Sequence, residues 1–154
     1  SSDLTLRVLL VSLAITPARK MLGLPELIRF RRMAGLFAFF YATLHLFTYL
    51  WLDKFFEWGE IGEDLVKRRF ITAGMTAFAL MVPLAATSTA GWIRRLGGRR
   101  WQALHRLVYI SAAAGVVHYS WLVKAGVMRP GVYAAALGAL MAWRGWEWLR
   151  GRRA

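Results

Sequence analysis

The apolar positions of this chain fall into five long runs, separated by short segments rich in arginine. The first is Leu4–Thr16, interrupted by Arg7 and closed by Pro17, and the second, Ala34–Leu52, carries no charge. The third, Phe70–Thr89, contains Pro83, which predicts a kink. The fourth, Trp101–Val123, has Arg106 near its start, and the fifth, Gly131–Trp143, continues amphipathically to Leu149. Crossing a bilayer takes about 20 mostly apolar residues. The pattern therefore predicts an all-α, polytopic transmembrane helix bundle with five helices in this chain. No internal repeat, strand-like alternation or domain-separating linker is visible.

Composition sharpens this picture. Of 154 residues 58% are hydrophobic, the mean hydropathy is +0.41 and the formal net charge is +13. A soluble domain averages about 45–50% apolar residues. The apolar content excludes disorder. The pI of 11.4 would suit a nucleic-acid binder, but the basic residues occupy short segments between spans rather than one stripe. The absence of Cys excludes disulfides, thiolate metal sites, iron–sulfur clusters and c-type haem attachment.

Orientation follows from the positive-inside rule. Segments 18–33 (Arg19, Lys20, Arg29, Arg31, Arg32), 90–100 (Arg94, Arg95, Arg99, Arg100) and the tail (Arg144, Arg150, Arg152, Arg153) lie on one side and hold thirteen cations. The opposite segments, 53–69 and 124–130, hold six: Lys54, Lys67, Arg68, Arg69, Lys124 and Arg129. Segment 53–69 also carries five of the eight acids. The thirteen-cation side is thus expected to be cytoplasmic, with the C-terminus there and Ser1 outside. No signal peptide is visible, and one further helix upstream would reconcile an outer Ser1 with that.

All three histidines, His45, His105 and His118, fall inside predicted spans, where ionisable groups are costly and point to function. The plain alternative is that each hydrogen-bonds a neighbouring helix. At 1.5 Å rise per residue, His45 lies about 12 Å below Asp53 and His118 about 9 Å below Lys124. The pair therefore shares a depth in the outer half, whereas His105 sits about 20 Å further along the helix of His118. Two imidazoles at one depth on two helices suit bis-His ligation of a b-type haem. Zinc fits less well, because it takes further protein ligands and no carboxylate lies in the span cores. The run Ala112–Gly115 offers either a flat surface for a macrocycle or ordinary close helix packing. Thirteen residues amount to about 220° of helical rotation, so His105 and His118 do not share a face of an ideal helix. Either Gly115 distorts that helix or the two face different partners.

The segments ITPAR (15–19), IRFRRMAGL (28–36), YATLHL (41–46), LAATS (84–88), WQALHRLVY (101–109) and VHYSW (117–121) resemble the ferric reductase-like transmembrane family. Within that family they are most similar to the haem-binding membrane subunits of bacterial periplasmic protein-methionine-sulfoxide reductase systems. The resemblance covers nearly the whole chain and implies one ferric reductase-like haem-binding domain over 1–154. It implies six helices, of which this chain matches the second to the sixth, in the bacterial inner membrane. It implies haem b on His45 and His118, with His105 matching an inner ligand whose expected partner falls near Arg31. It further implies FMN, for whose phosphate Arg32, Arg99, Arg100 and Arg106 are candidates, since the guanidinium forks onto phosphate oxygens. Positive-inside topology and snorkelling explain each single arginine as well.

The implied role is electron transfer from a cytoplasmic flavin reductase or a quinol to the periplasmic molybdenum-containing reductase subunit, MsrP. The chain itself would do no sulfoxide chemistry. Loop 53–69, with Phe55, Phe56 and Trp58, is the expected docking surface, or equally an interfacial aromatic belt. The competing readings are a ferric or quinone-linked reductase of the same superfamily and a cofactor-free scaffold or small channel subunit. No Gly-rich dinucleotide fingerprint is present.

Overall fold

The computed structural model describes residues 2–123 and 128–151, and those residues are helical throughout apart from short connections. Helix α1 (Ser2–Leu22) turns at Gly23, whose φ of 67° only glycine adopts at no cost, into α2 (Leu27–Thr48). A π-helical turn (Tyr49–Asp53) prolongs α2. Short α3 (Trp58–Lys67) leads into α4 (Arg69–Ala86). Short α5 (Ala90–Leu96) and α6 (Gly98–His105) precede α7 (Leu107–Leu122) and α8 (Met128–Gly151).

The five predicted spans correspond to α1, α2 with its π turn, α4, the α6–α7 unit and α8. Three details differ. Pro17 does not close the first span: α1 runs on to Leu22. One lost backbone bond is outweighed by burial of Leu6, Leu9, Leu10 and Leu13 upstream and by the Lys20–Glu147 ion pair to α8 at 2.6 Å downstream. Segment 53–69 is not an open loop, because α3 folds there with Ile61 and Asp64 buried. The fourth span is broken at Arg106, between α6 and α7. Lys124, Arg152 and Arg153 lie outside the described residues.

The packing explains the exceptional Arg7. Its guanidinium pairs with Asp3 at 2.9 Å and donates to the Tyr133 hydroxyl at 2.8 Å, and Tyr133 in turn bonds Asp3. With Lys20–Glu147 at the other end, α1 and α8 lie side by side in the same direction. The leucines of α1, spaced as one helical stripe, meet Ala38, Met81, Ala112, Val116, Tyr119 and Leu137 in a single core. Helices α4 and α7 pack antiparallel, as the contacts Phe70–His118, Ala77–Ser111 and Thr87–His105 require. The segments Arg29–Asp53 (25 residues) and Arg69–Ala86 (18 residues) are each long and apolar enough to cross a membrane. Outside the core, Val11, Phe37, Phe40, Leu44, Ile110 and Met141 are exposed, a surface that suits lipid rather than water.

Candidate functional site

Ser111, Gly115, His118 and Leu122 recur on one stripe of α7, at the helical spacing that aims them at α1, α2 and α4. Opposite His118, α4 presents Gly74, where a Cβ would lie 2.7 Å from Nδ1 of the imidazole. The bare backbone lets the ring lie against α4. There Nδ1 meets the carbonyl oxygen of Phe70 at 2.6 Å. A carbonyl only accepts, so Nδ1 carries the proton and Nε2 keeps its lone pair. Nε2 is buried and has no hydrogen-bond partner.

His45 of α2 faces the same ring, with centroids 6.1 Å apart and planes at 66°. An imidazole nitrogen binds a first-row metal ion at about 2 Å, so two imidazoles on opposite sides of one ion have ring centres about 6 Å apart. The pair fits that arrangement. Around it lies a cavity of about 460 Å³, lined mainly by apolar groups such as Leu6, Leu9, Phe78 and Met81. The volume falls within the roughly 300–1,000 Å³ of cofactor pockets. From Phe70 to Met81 the lining follows α4 for about 16 Å. Among the described residues no three of His, Asp and Glu converge, which leaves the zinc reading without a ligand set.

The mouth of the cavity is polar, with Asp53, Lys54 and Arg68. Asp64 of α3, 7% exposed, accepts from Lys54 Nζ at 2.9 Å, Tyr49 Oη at 3.0 Å and Arg68 Nε at 3.1 Å. The Lys54 ammonium, then burial working against it, then Tyr49 and Arg68, hold the Asp64 carboxyl below its ordinary range.

His105 belongs to a different site. Thr87 donates its hydroxyl proton to the Pro83 carbonyl at 2.6 Å, so its oxygen accepts from His105 Nε2–H at 3.0 Å. Trp101 stacks on the His105 ring at 3.9 Å and donates its Nε1–H to the Thr87 carbonyl at 2.9 Å. The break at Arg106 turns His105 toward the C-terminal end of α4, at Thr87, while His118 contacts the N-terminal end, at Phe70. The distortion thus lies at Arg106, not at Gly115, and both histidines meet one helix. Arg32, Arg99, Arg100 and Arg106 are all exposed. The arginine within electrostatic range of His105 is Arg31, which with Arg106 also acts on Arg144. The small-residue run divides: Ala112 packs into the core and Gly115 lines the cavity.

Gly74, the Phe70 carbonyl, Tyr49, Asp64, Thr87 and Trp101 escape the sequence reading. Only Gly74, a lone glycine inside an apolar span, carries a signal there, and it points to close helix packing rather than to a ring.

A family model described as "Ferric reductase like transmembrane component" matches residues 3–116. Curated relatives are named "Protein-methionine-sulfoxide reductase heme-binding subunit MsrQ". One from Caulobacter vibrioides is 54% identical over 96% of this chain and 69% of its own length. Another, from Xanthomonas campestris pv. campestris, is 53% identical over 96% and 67%. A third, from Rhodospirillum rubrum, is 58% identical over 88% and 65%, so the chain spans about two thirds of these relatives. No solved structure matches. The chain belongs to the ferric reductase like transmembrane family, in its branch of protein-methionine-sulfoxide reductase haem-binding subunits.

Proposed function

We propose that this chain binds a b-type haem between His45 and His118 and carries electrons across the bacterial inner membrane to a periplasmic methionine sulfoxide reductase, MsrP. The observation that carries the reading is the buried, unpartnered Nε2 of His118, on a ring whose centre lies 6.1 Å from that of the His45 imidazole. The names of the relatives, which call those proteins heme-binding, agree with it.

When bound, the haem supplies one-electron redox chemistry. The residues do the rest. The Phe70 carbonyl fixes the His118 tautomer and the orientation of its ring, as a second-shell acceptor does for a metal-bound imidazole. Gly74 leaves room for the ring, and the apolar lining keeps water off it. With His45 and His118 both holding the iron, no position would be left for a sulfoxide or oxygen to bind directly.

The C-terminus lies on the cytoplasmic side in this reading, and electrons enter there from a flavin reductase or a quinol. FMN near His105 would take its phosphate from Arg32, Arg99, Arg100 or Arg106. Because His105 Nε2 is a donor to Thr87, metal ligation there would need Nδ1. The MsrP docking surface is segment 53–69. Phe55 and Phe56 are exposed there with φ of 45° and 59°, a left-handed strain of order 1–3 kcal/mol per residue that bulky side chains rarely bear.

The test is a cofactor count on detergent-solubilised protein, haem as pyridine haemochrome and flavin by fluorescence after release. One low-spin haem with one flavin is the expected result. A colourless protein from haem-sufficient cells would instead favour the scaffold.

A further inference from the structure

The mouth of the His45/His118 cavity is built by residues that the ligand set does not require. Lys54 and Arg68 line it from two directions, the end of α2 and the start of α4. Asp64 anchors both, and Tyr49, one turn beyond His45, donates to the same carboxylate. A buried carboxylate with three donors holds its cations in place before any ligand arrives.

The anchoring leaves donors to spare. An ammonium has three hydrogens, of which Asp64 at 2.9 Å and Glu60 at 3.1 Å engage two. Arg68 gives Asp64 only its Nε in that ion pair, and a guanidinium has five donors. Glu60 is largely solvated, so its charge is screened at the mouth. Asp53 lines the same rim and opposes any anion there.

We propose that Lys54 and Arg68, positioned by Asp64, form a carboxylate-binding site that receives the two propionate groups of the haem. The inference rests on the haem reading above, and it assigns the orientation of the macrocycle: acidic edge outward, apolar edge toward Met81. It also assigns Asp64 as a positioning residue that ties the α3 cap to the helix of one axial ligand and to the helix that supports the other.

The experiment uses the solubilised full chain with its haem, comparing Arg68→Gln, Lys54→Gln, Arg68→Lys and Asp53→Asn with the unaltered protein. Haem transfer to apomyoglobin gives the loss rate, and spectroelectrochemical titration gives the midpoint potential. Arg68→Gln and Lys54→Gln are expected to release haem about tenfold faster, as loss of a charged hydrogen bond implies. Their potentials should fall, because a nearby cation favours the reduced state, while the low-spin bands stay unchanged. Arg68→Lys should recover part of both losses, and Asp53→Asn should move both readings the other way.

Unchanged loss rates and potentials in both glutamine variants, with the low-spin bands intact, would overturn the carboxylate site and leave the haem reading standing. The same result with slower electron delivery to the partner reductase would make the mouth a protein-docking patch and also overturn it. An unaltered chain without bis-imidazole bands would overturn both readings.

Discussion

The antiparallel α4–α7 pair carries a histidine at each end, and the two are held in opposite ways. At the end nearer the start of α4 a backbone carbonyl takes the Nδ1 proton of His118, and Nε2 stays buried with its lone pair unused. At the end nearer the C-terminus of α4 a threonine hydroxyl takes the Nε2 proton of His105, and a tryptophan covers the ring. Both are hydrogen-bonded histidines in an apolar span. What separates them is which nitrogen the protein satisfies and whether a second imidazole faces the other. The contrast shows what a histidine inside a membrane span can offer: the tautomer its neighbours impose decides which ring nitrogen keeps its lone pair.

The sharpest way to break the contrast is to delete each ring. His118→Ala and His45→Ala should each abolish the low-spin haem spectrum in solubilised protein, whereas His105→Ala should leave it in place and alter flavin content. Loss of the only haem in His105→Ala would reverse the assignment of the two ends. A smaller effect is expected of Gly74→Ala. Its Cβ would lie 2.7 Å from Nδ1 of His118, against backbone on one side, so the ring has to leave the Phe70 carbonyl. Overpacking of this kind costs about 1–3 kcal/mol, and haem occupancy should drop with it. Gly35→Ala, off the cavity and with Ser12 Oγ at 3.6 Å as its nearest contact, serves as the control with near-normal occupancy. At the His105 end, Thr87→Val removes the acceptor of His105 and should cost about 1 kcal/mol, the low end for an unpaired polar group, in thermal unfolding. The low-spin haem spectrum expected of the unaltered protein should not respond.

How much of this was legible beforehand depends on the kind of information each feature needs. Apolar runs and depth are one-dimensional, and they suffice to bring His45 and His118 to one level. The break at Arg106 is a backbone event with no proline or glycine to announce it, so 101–123 reads as one span. Segment 53–69 looks like a solvated loop because five acids crowd it. The fold of α3 rests on Asp64: spacing pairs it with Arg68, four residues on, but its donors Tyr49 and Lys54 come from the π turn and its end and cannot be paired that way. Position in a basic cluster, likewise, says nothing about which guanidinium is covered: Arg31 is half-buried and Arg32 exposed.

The smallest effect concerns pH and again separates the two ends. Lys54, Tyr49 and Arg68 hold Asp64 below its ordinary range, so the folded carboxyl binds its proton less readily than the unfolded one. Its stabilisation of the α3 cap is therefore complete above the unfolded value, about 4, and is lost as pH falls through the lowered folded value. Lys54 runs the other way. Its hydrogen bonds to Asp64 and Glu60 raise it, so its contribution is complete below about 10.4 and lost as pH rises through the raised value. Fluorescence of the exposed Trp58 at the start of α3 should accordingly stay level between these limits and change outside them. Asp64→Asn should remove the acid limb, whereas Thr87→Val should leave both limbs where they are. An acid transition that persists in Asp64→Asn would show that the cap is held by its apolar contact at Ile61 rather than by the carboxylate.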